Sequence, residues 1–333
     1  MCANSPTQLF RRLNMAQKTK VNRRDFLKML GAFGSYSILP LGAGNLFSSV
    51  RQALVNVPPS LMLHSADGNS DFLPQLLEYL NQNDFTLTTY QAWHRGLLQN
   101  SPVSNPVILS IDDISLAKSG CHSFKTFVQM KEWIKAVGGT AVYGVITQPV
   151  IGDKPVREQD ESRWDMMQAW VEAGFELASH TTYHSNFNAR DSGPRSDFTV
   201  ADYDAEIVQS AQLIEGKLRE RGIKYKVESL ILPYGSGYAY KLPQPSIHAG
   251  IANACRKTNI KFVVGIPQGQ GPIPLARFHN PDELIYVGRV PPVYFTEPGG
   301  GHMPQAAQTA VQLALWHEKF AHIASPNVLQ MPM

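Results

Sequence analysis

Cysteine is scarce in this sequence, with three residues in 333, and it offers no motif spacing. Cys2 lies in the N-terminal stretch. Cys121 and Cys255 either pair in an oxidising compartment or remain two free, buried thiols. Charge of one sign is also lacking over most of the chain. The net charge of +3 conceals seven Lys or Arg in residues 1–44 (Arg11, Arg12, Lys18, Lys20, Arg23, Arg24, Lys28) against Asp25 alone, so the remainder is near −3. A body with that balance exerts no long-range pull on nucleic acid, which excludes nucleic acid as a partner. No long uninterrupted apolar run is present. The least polar stretch, Phe26 to Leu46, is broken by Gly31, Gly34, Pro40, Gly42 and Gly44, so no stable membrane span is expected after processing. Internal repeats of 20 to 50 residues and low-complexity linkers are absent as well.

What is present is enough apolar residue, 43% of the chain against 17% charged, to bury one large core or two smaller ones. At the N-terminus a basic stretch leads into the weakly apolar run, the order of a targeting segment. The junction Asn22-Arg23-Arg24-Asp25-Phe26-Leu27-Lys28 resembles the twin-arginine export signal of bacteria. That resemblance implies export through the twin-arginine machinery to a periplasmic or secreted location. Residues 1–44 would be the signal segment and 45–333 a single barrel domain. Gly42-Ala43-Gly44 offers small residues for cleavage, and the alternative is a basic amphipathic or membrane-anchoring helix.

From about residue 58 onward, short runs rich in β-branched residues alternate with stretches of helical period. The strands are expected at Leu61–His64, Val107–Ile111, Ala141–Ile146, Phe175–Ser179, Glu228–Leu232, Lys261–Gly265 and Leu284–Val287. Helices are expected at Phe124–Val137 before Gly138, at Trp164–Ala173 before Gly174, at Asp202–Arg221 before Gly222, and at Gln305–Ile323. About seven strand-helix units at these spacings fit an α/β fold of the distorted-barrel kind better than an open doubly wound sheet. The stretch Gly265–Pro274 reads as a loop.

Three constellations follow predicted strands, where a parallel α/β barrel assembles its active site. The strand Val107–Ile111 runs into Asp112-Asp113. Neighbouring side chains at a strand end point different ways, so one carboxylate can hold a cation while the other faces substrate; taken alone, the pair can equally be a helix cap or solvated turn. After the strand ending at Ser179 come His180 and His184, four apart, a spacing that puts both imidazoles on one face of a helical turn. Two imidazoles and one carboxylate leave positions open for water and a substrate carbonyl, the pattern of a catalytic metal site. Third is Leu232-Pro233-Tyr234-Gly235, where a strand breaks into a turn whose amide can face an oxyanion.

These residues resemble the polysaccharide deacetylases, the NodB-homology or carbohydrate esterase family 4 group. Ser110-Ile111-Asp112-Asp113-Ile114 is similar to the family's Thr-Phe-Asp-Asp-Gly, His180-Thr181-Thr182-Tyr183-His184 to its His-Ser/Thr-x-x-His, and Ile231-Leu232-Pro233-Tyr234 in part to its Arg-x-Pro-Phe/Tyr. Leu61-Met62-Leu63-His64-Ser65 is similar to the lead-in of members with an N-terminal Met-x-His segment. The resemblance implies a distorted (β/α)7 barrel that removes acetyl groups from an N- or O-acetylated polysaccharide or oligosaccharide. It assigns Asp112 as general base, Asp113, His180 and His184 as ligands of one divalent metal ion, and the amide of Tyr234 as part of an oxyanion hole. Zinc is the default ion, and cobalt, nickel or iron would be accommodated.

The sequence departs from the family pattern at three places. Ile114 replaces the glycine after the acid pair, Ile231 replaces the arginine that partners the base, and the late Leu-x-His that supplies a general acid is not evident. Arg289, at the end of a late strand, is the candidate replacement for the arginine; His248, His279 and His302 are those for the acid. The gaps leave two other readings open, a catalytically weak glycan-binding module on the same fold and a hydrolase of small non-peptide amides.

Overall fold

The computed structural model describes residues 58–68, 70–99, 101–116, 124–148, 150–151, 154–155, 160–188, 194–239, 246–266, 284–296 and 302–321. The expected targeting segment, Cys121 and His279 lie outside them, as does the part of the expected loop Gly265–Pro274 beyond Ile266. Strands and helices alternate: β1 (Ser60–Leu63), α1 (Phe72–Gln82), β2 (Thr86–Thr88), α2 (Tyr90–Leu98), β3 (Pro106–Ser115), α3 (Phe124–Ala136), β4 (Val142–Ile146), α4 (Glu161–Glu172), β5 (Glu176–Ser179), α5 (Gln209–Glu220), β6 (Ser229–Ile231), α6 (Ala249–Cys255), β7 (Phe262–Gly265), β8 (Ile285–Gly288) and α7 (Ala306–Ala321). Gly138 and Gly174 follow α3 and α4 with φ of +73° and +88°, the left-handed conformation that ends a helix at least cost when no Cβ is present. Among the described residues no helix is long and apolar enough to cross a membrane.

The strands form one parallel sheet in the order β1-β3-β4-β5-β6-β7-β8, with β2 beside the first part of β3. Beyond β8 the chain pairs with β1 through Leu61 and Val290. The amide of Met62 donates to Val290 O at 2.8 Å, and that of Val290 to Ser60 O at 3.0 Å. These bonds nearly close the sheet into the distorted barrel expected from the strand spacing. The seam between β5 and β6 is the thin one, paired at Ser179 and Leu230.

Both faces of the sheet are covered, which is why the strands read as near-continuous apolar runs. With a side-chain period of two, Val107, Leu109 and Ile111 pack outward against the helices together with Leu73, Leu76 and Phe127. Ile108 faces inward with Val142, Ala178, Ile231, Phe262 and Val264. Tyr90 and Trp93 of α2 complete this inner cluster, their ring centroids 5.6 and 6.2 Å from that of Phe262. The same period places Ser110 and Asp112 on the inward face of β3. Cys255 is a free, buried thiol, pushed up to about 12 by burial and therefore inert.

A buried carboxylate secures α2. Glu176, at the start of β5, accepts a hydrogen bond from the Gln91 amide at 3.0 Å and another from the Ser229 hydroxyl. Burial raises its pKa to about 7, the hydrogen bonds from Gln91, Ser229 and Thr89 opposing only part of the shift. The folded state therefore holds this proton more tightly than the unfolded chain. The resulting stability is full below an ordinary glutamate pKa and is lost as pH rises toward 7. Between pH 4.5 and 7.5, Glu176→Gln is expected to gain on the wild type by about 3 kcal/mol in urea unfolding, since one pKa unit corresponds to about 1.4 kcal/mol. A constant difference across that range would show that Glu176 is not the titrating group.

Candidate metal centre

The acid pair does not end its strand. β3 continues to Ser115, and its register with β4 slips between Ile111 and Ile114, so Asp112 and Asp113 occupy a bulge inside the strand. Asp113 has φ +67°, the left-handed conformation at which the strand departs from its regular alternation. Ile114 sits fully buried without adopting positive φ, because the residue before it carries the unusual conformation. The glycine missing from the family pattern is thus accommodated one position earlier.

The two histidines do converge, though not on a helical turn as their spacing predicts. Residues 181–187 are irregular, and Thr181 and His184 both have positive φ, +67° and +61°. The loop folds back on itself, and the amide of His184 donates to the Thr181 hydroxyl at 3.0 Å. Of the six non-glycine residues with positive φ among those described, four belong to this site: Asp113, Thr181, His184 and Tyr234. Each such residue costs of the order of 1–3 kcal/mol, a cost tolerated where the conformation is needed.

Asp113 Oδ1 lies 3.2 Å from His180 Nε2 and 3.1 Å from His184 Nε2, and the two imidazole nitrogens are 3.2 Å apart. Three ligand atoms thus form a nearly equilateral triangle. A tetrahedral ion with bonds of about 2.0–2.1 Å spaces its ligands about 3.3 Å apart, so the triangle fits one face of such an ion. The ring tautomer fits as well. His180 Nδ1 is 2.9 Å from the carbonyl of Ile231, which can only accept, so Nδ1 carries the proton and Nε2 presents its lone pair to the triangle. His184 Nδ1 is 3.1 Å from the hydroxyl of Tyr234, an oxygen able to accept in the same way. A side chain at Gly144 would put its Cβ 3.0 Å from Ile231 Cδ1 and 3.4 Å from His180 Cβ, so glycine leaves the room that this ring occupies.

Electrostatics agree with the geometry. Burial alone would raise the Asp113 pKa, but the hydrogen bonds and charges of His180 and His184 outweigh it and hold the carboxyl far below the usual range. Burial pulls His180 down, while Asp113, the charge of Asp112 and the Ile231 carbonyl lift it above its ordinary value. The cluster is thus built to hold positive charge, and two imidazole lone pairs facing one carboxylate oxygen suit a divalent cation. Among the described residues, Asp113, His180 and His184 are the group with ligand atoms placed to hold a metal ion.

Asp112 is buried beside this triangle. Arg289, fully buried and just past β8, donates from Nη1 to Asp112 Oδ1 at 2.6 Å and to the Ser110 hydroxyl at 2.9 Å. An arginine does therefore partner the expected base, arriving from β8 rather than from the position held by Ile231. Tyr234 lies in the turn Pro233–Gly235 after β6 with φ +56°, and its ring, 62% exposed, packs 4.6 Å from that of His184.

Of the histidines considered for the acid role, His248 is the one whose side chain lies among the described residues, and it does not join the cluster. His248 is buried at the start of α6, where its ring nitrogens make no hydrogen bond, and the side chain of His302 lies outside the described residues. Instead His64, directly after β1, brings Nε2 to 3.9 Å from Asp113 Oδ2. Asp67 accepts the His64 amide at 2.8 Å and fixes the start of this turn. His64 was passed over as a site residue, although a polar residue at the C-terminal end of a barrel strand is the same signal that marks Asp112 and His180.

The fold defines the class: a nearly closed parallel α/β barrel in which two histidines and an aspartate come together where they could hold one metal ion. No protein-family model and no curated protein matches the chain. Among solved structures it is similar to the Streptococcus pyogenes deacetylase PplD in complex with acetate, at 16% identity over 71% of this chain and 93% of that one, TM-score 0.48. IcaB from Ammonifex degensii shows 15% identity over 79% of this chain and 98% of its own, TM-score 0.49. A de-N-acetylase from Aggregatibacter actinomycetemcomitans shows 15% identity over 70% and 93%, TM-score 0.46. Identities and TM-scores at this level assign neither family nor activity.

Proposed function

We propose that this chain is a metal-dependent hydrolase that removes acetyl groups from an N- or O-acetylated polysaccharide outside the cytoplasm. The observation that carries the reading is the ligand triangle of Asp113, His180 and His184 set beside an arginine-held Asp112. Asp113, His180 and His184 would hold a divalent cation, which would supply Lewis-acid chemistry there. Asp112, kept in one orientation by Arg289 and Ser110, takes the proton of the attacking water. The Tyr234 amide contributes a donor for the oxyanion. His64, with Nε2 3.9 Å from Asp113 Oδ2, returns a proton to the departing sugar nitrogen or oxygen. With Arg289 on the base and His64 beside the ligands, the departures that favoured a weak binding module lose their force.

Acetate release from acetylated xylan and from chito-oligomers tests this reading, using protein stripped of metal and reloaded with zinc, cobalt or nickel. Release that depends on added metal is expected. No release with any metal, while glycan is still retained, would favour the binding module. His64→Ala is expected to lower kcat by about 10²–10⁴-fold. The loss should be larger on the N-acetyl substrate, because an amine leaves far less readily than an alkoxide without a proton. Equal losses on both substrates would remove His64 from the acid role.

Residues 1–44 serve in this reading as a twin-arginine-type export segment, with residues 45–333 as one barrel domain. A reporter fused behind residues 1–44 is expected in the periplasmic fraction, and with lysine at positions 23 and 24 it is expected to stay inside. Export unaffected by the two lysines would refute the twin-arginine route.

A further inference from the structure

The helix expected over Asp202–Arg221 is not continuous. It opens as Val200–Tyr203, with Thr199 and Asp202 forming a reciprocal cap, widens into a π-turn over Asp204–Val208, and resumes as α5. In the π-turn the amide of Gln209 donates to Asp204 O, five residues back, in place of Ala205 O. Ala205 O is thereby available, and the hydroxyl of Thr182 donates to it at 2.6 Å. One residue on, Glu206 O accepts the Thr182 amide at 3.0 Å. The Glu206 side chain is buried and points the same way, its Oε2 accepting the Tyr183 amide at 2.9 Å.

Three hydrogen bonds from one helical defect therefore end on Thr182 and Tyr183, the residues between Thr181 and His184, both of which have positive φ. A loop this short with two left-handed residues does not hold its shape through local preference. Propagating a regular α-helix through 204–208 would return Ala205 O to Gln209 and take a partner from Thr182. A buried carboxylate is also costly, and the Tyr183 amide offsets that cost only if the loop keeps this path.

We propose that Glu206, presented by the π-turn, is a positioning residue that fixes the Thr181–His184 loop and so sets the separation of the His180 and His184 ring nitrogens. It touches neither ligand nor substrate, and it acts through the amide of Tyr183. The proposal rests on the metal-centre reading only for its effect on affinity; its effect on the loop is independent of any ion.

Two measurements on the full chain test it. In metal-free protein, hydrogen exchange of the segment spanning Thr181–His184 is expected to speed up at least about tenfold in Glu206→Ala. It should return to within about threefold of wild type in Glu206→Gln, whose amide oxygen still accepts from Tyr183. Cobalt(II) affinity, followed by its visible absorption, is expected to fall about 10–100-fold in Glu206→Ala and to recover in Glu206→Gln, the scale usual for residues that orient a metal ligand. Should Glu206→Ala fail to fold, Thr182→Val, which removes the hydroxyl's bonds to Ala205 O and Glu206 O, is expected to shift both readouts in the same direction. Exchange unchanged in Glu206→Ala, or in Thr182→Val where that variant stands in, would overturn the proposal. So would a Glu206→Gln variant as impaired as Glu206→Ala. A wild-type chain that takes up no cobalt would instead refute the metal reading, with the exchange measurement still deciding the role of Glu206.

Discussion

Replacing His180, His184 or Asp113 by alanine is expected to reduce bound metal to near zero by elemental analysis, whereas Asp112→Asn keeps it and loses turnover. The contrast follows from geometry. Asp113 Oδ1 is within 3.2 Å of both imidazole Nε2 atoms, so deleting any corner leaves two ligands where three were preset. Asp112 is held by Arg289 instead, and its amide analogue keeps the shape of the side chain while removing its basicity. A fall in kcat of about 10²–10⁴-fold is the usual cost of losing a general base. Undiminished metal content in all three alanine variants would dismiss the centre. Lost metal in Asp112→Asn would mean that this carboxylate is a ligand rather than a base.

Arg289→Ala is expected to be among the most destabilising single changes in the chain, by about 3–5 kcal/mol in denaturant unfolding, and to abolish turnover as well. The guanidinium is fully buried, and its recorded partners are Asp112 and the Ser110 hydroxyl. Removing it strands a carboxylate inside the barrel and opens a void around it. Arg289→Lys restores a charge without the planar fork and should recover stability only in part. The informative variant is the pair Arg289→Met with Asp112→Asn. Replacing both members of a buried ion pair often costs little, so the double variant should be more stable than Arg289→Ala alone. A double variant that loses the sum of the two single losses would argue against coupling between these side chains.

Much of the barrel was legible because its strands are buried on both faces and written in β-branched residues. The expected strand at Val107–Ile111 lies within β3, and the other expected strands meet their observed counterparts to within a residue or two. The meeting of Asp113, His180 and His184 was legible for another reason: strand ends in a parallel barrel gather at one rim, so acids and histidines placed near them tend to meet. What the sequence conceals is backbone conformation. Nothing in Asp112-Asp113-Ile114 announces a bulge, and a four-residue histidine spacing looks helical whether or not a helix is present. The π-turn is hidden more thoroughly, because Ile207, Ala211 and Ile214 keep a helical apolar rhythm straight through it. The partner of Asp112 is concealed by distance along the chain, and only the position of Arg289 at the end of a late strand hinted at it.

The bond between Asp112 and Arg289 spans 177 residues of sequence, and Arg289 is the residue just before Val290, whose pairing with β1 nearly completes the barrel. Metal-ligand candidates are all present once the chain has been made as far as His184, but the guanidinium that orients Asp112 comes from just past β8. Contacts of this sequence separation form late, because a long loop must be ordered before they repay it. An incomplete or half-folded chain can therefore own every metal ligand and still lack an oriented base. Chemistry in this molecule is placed under the control of the segment that joins β8 to β1, which makes the proposed activity a report on whether the whole circuit has been joined.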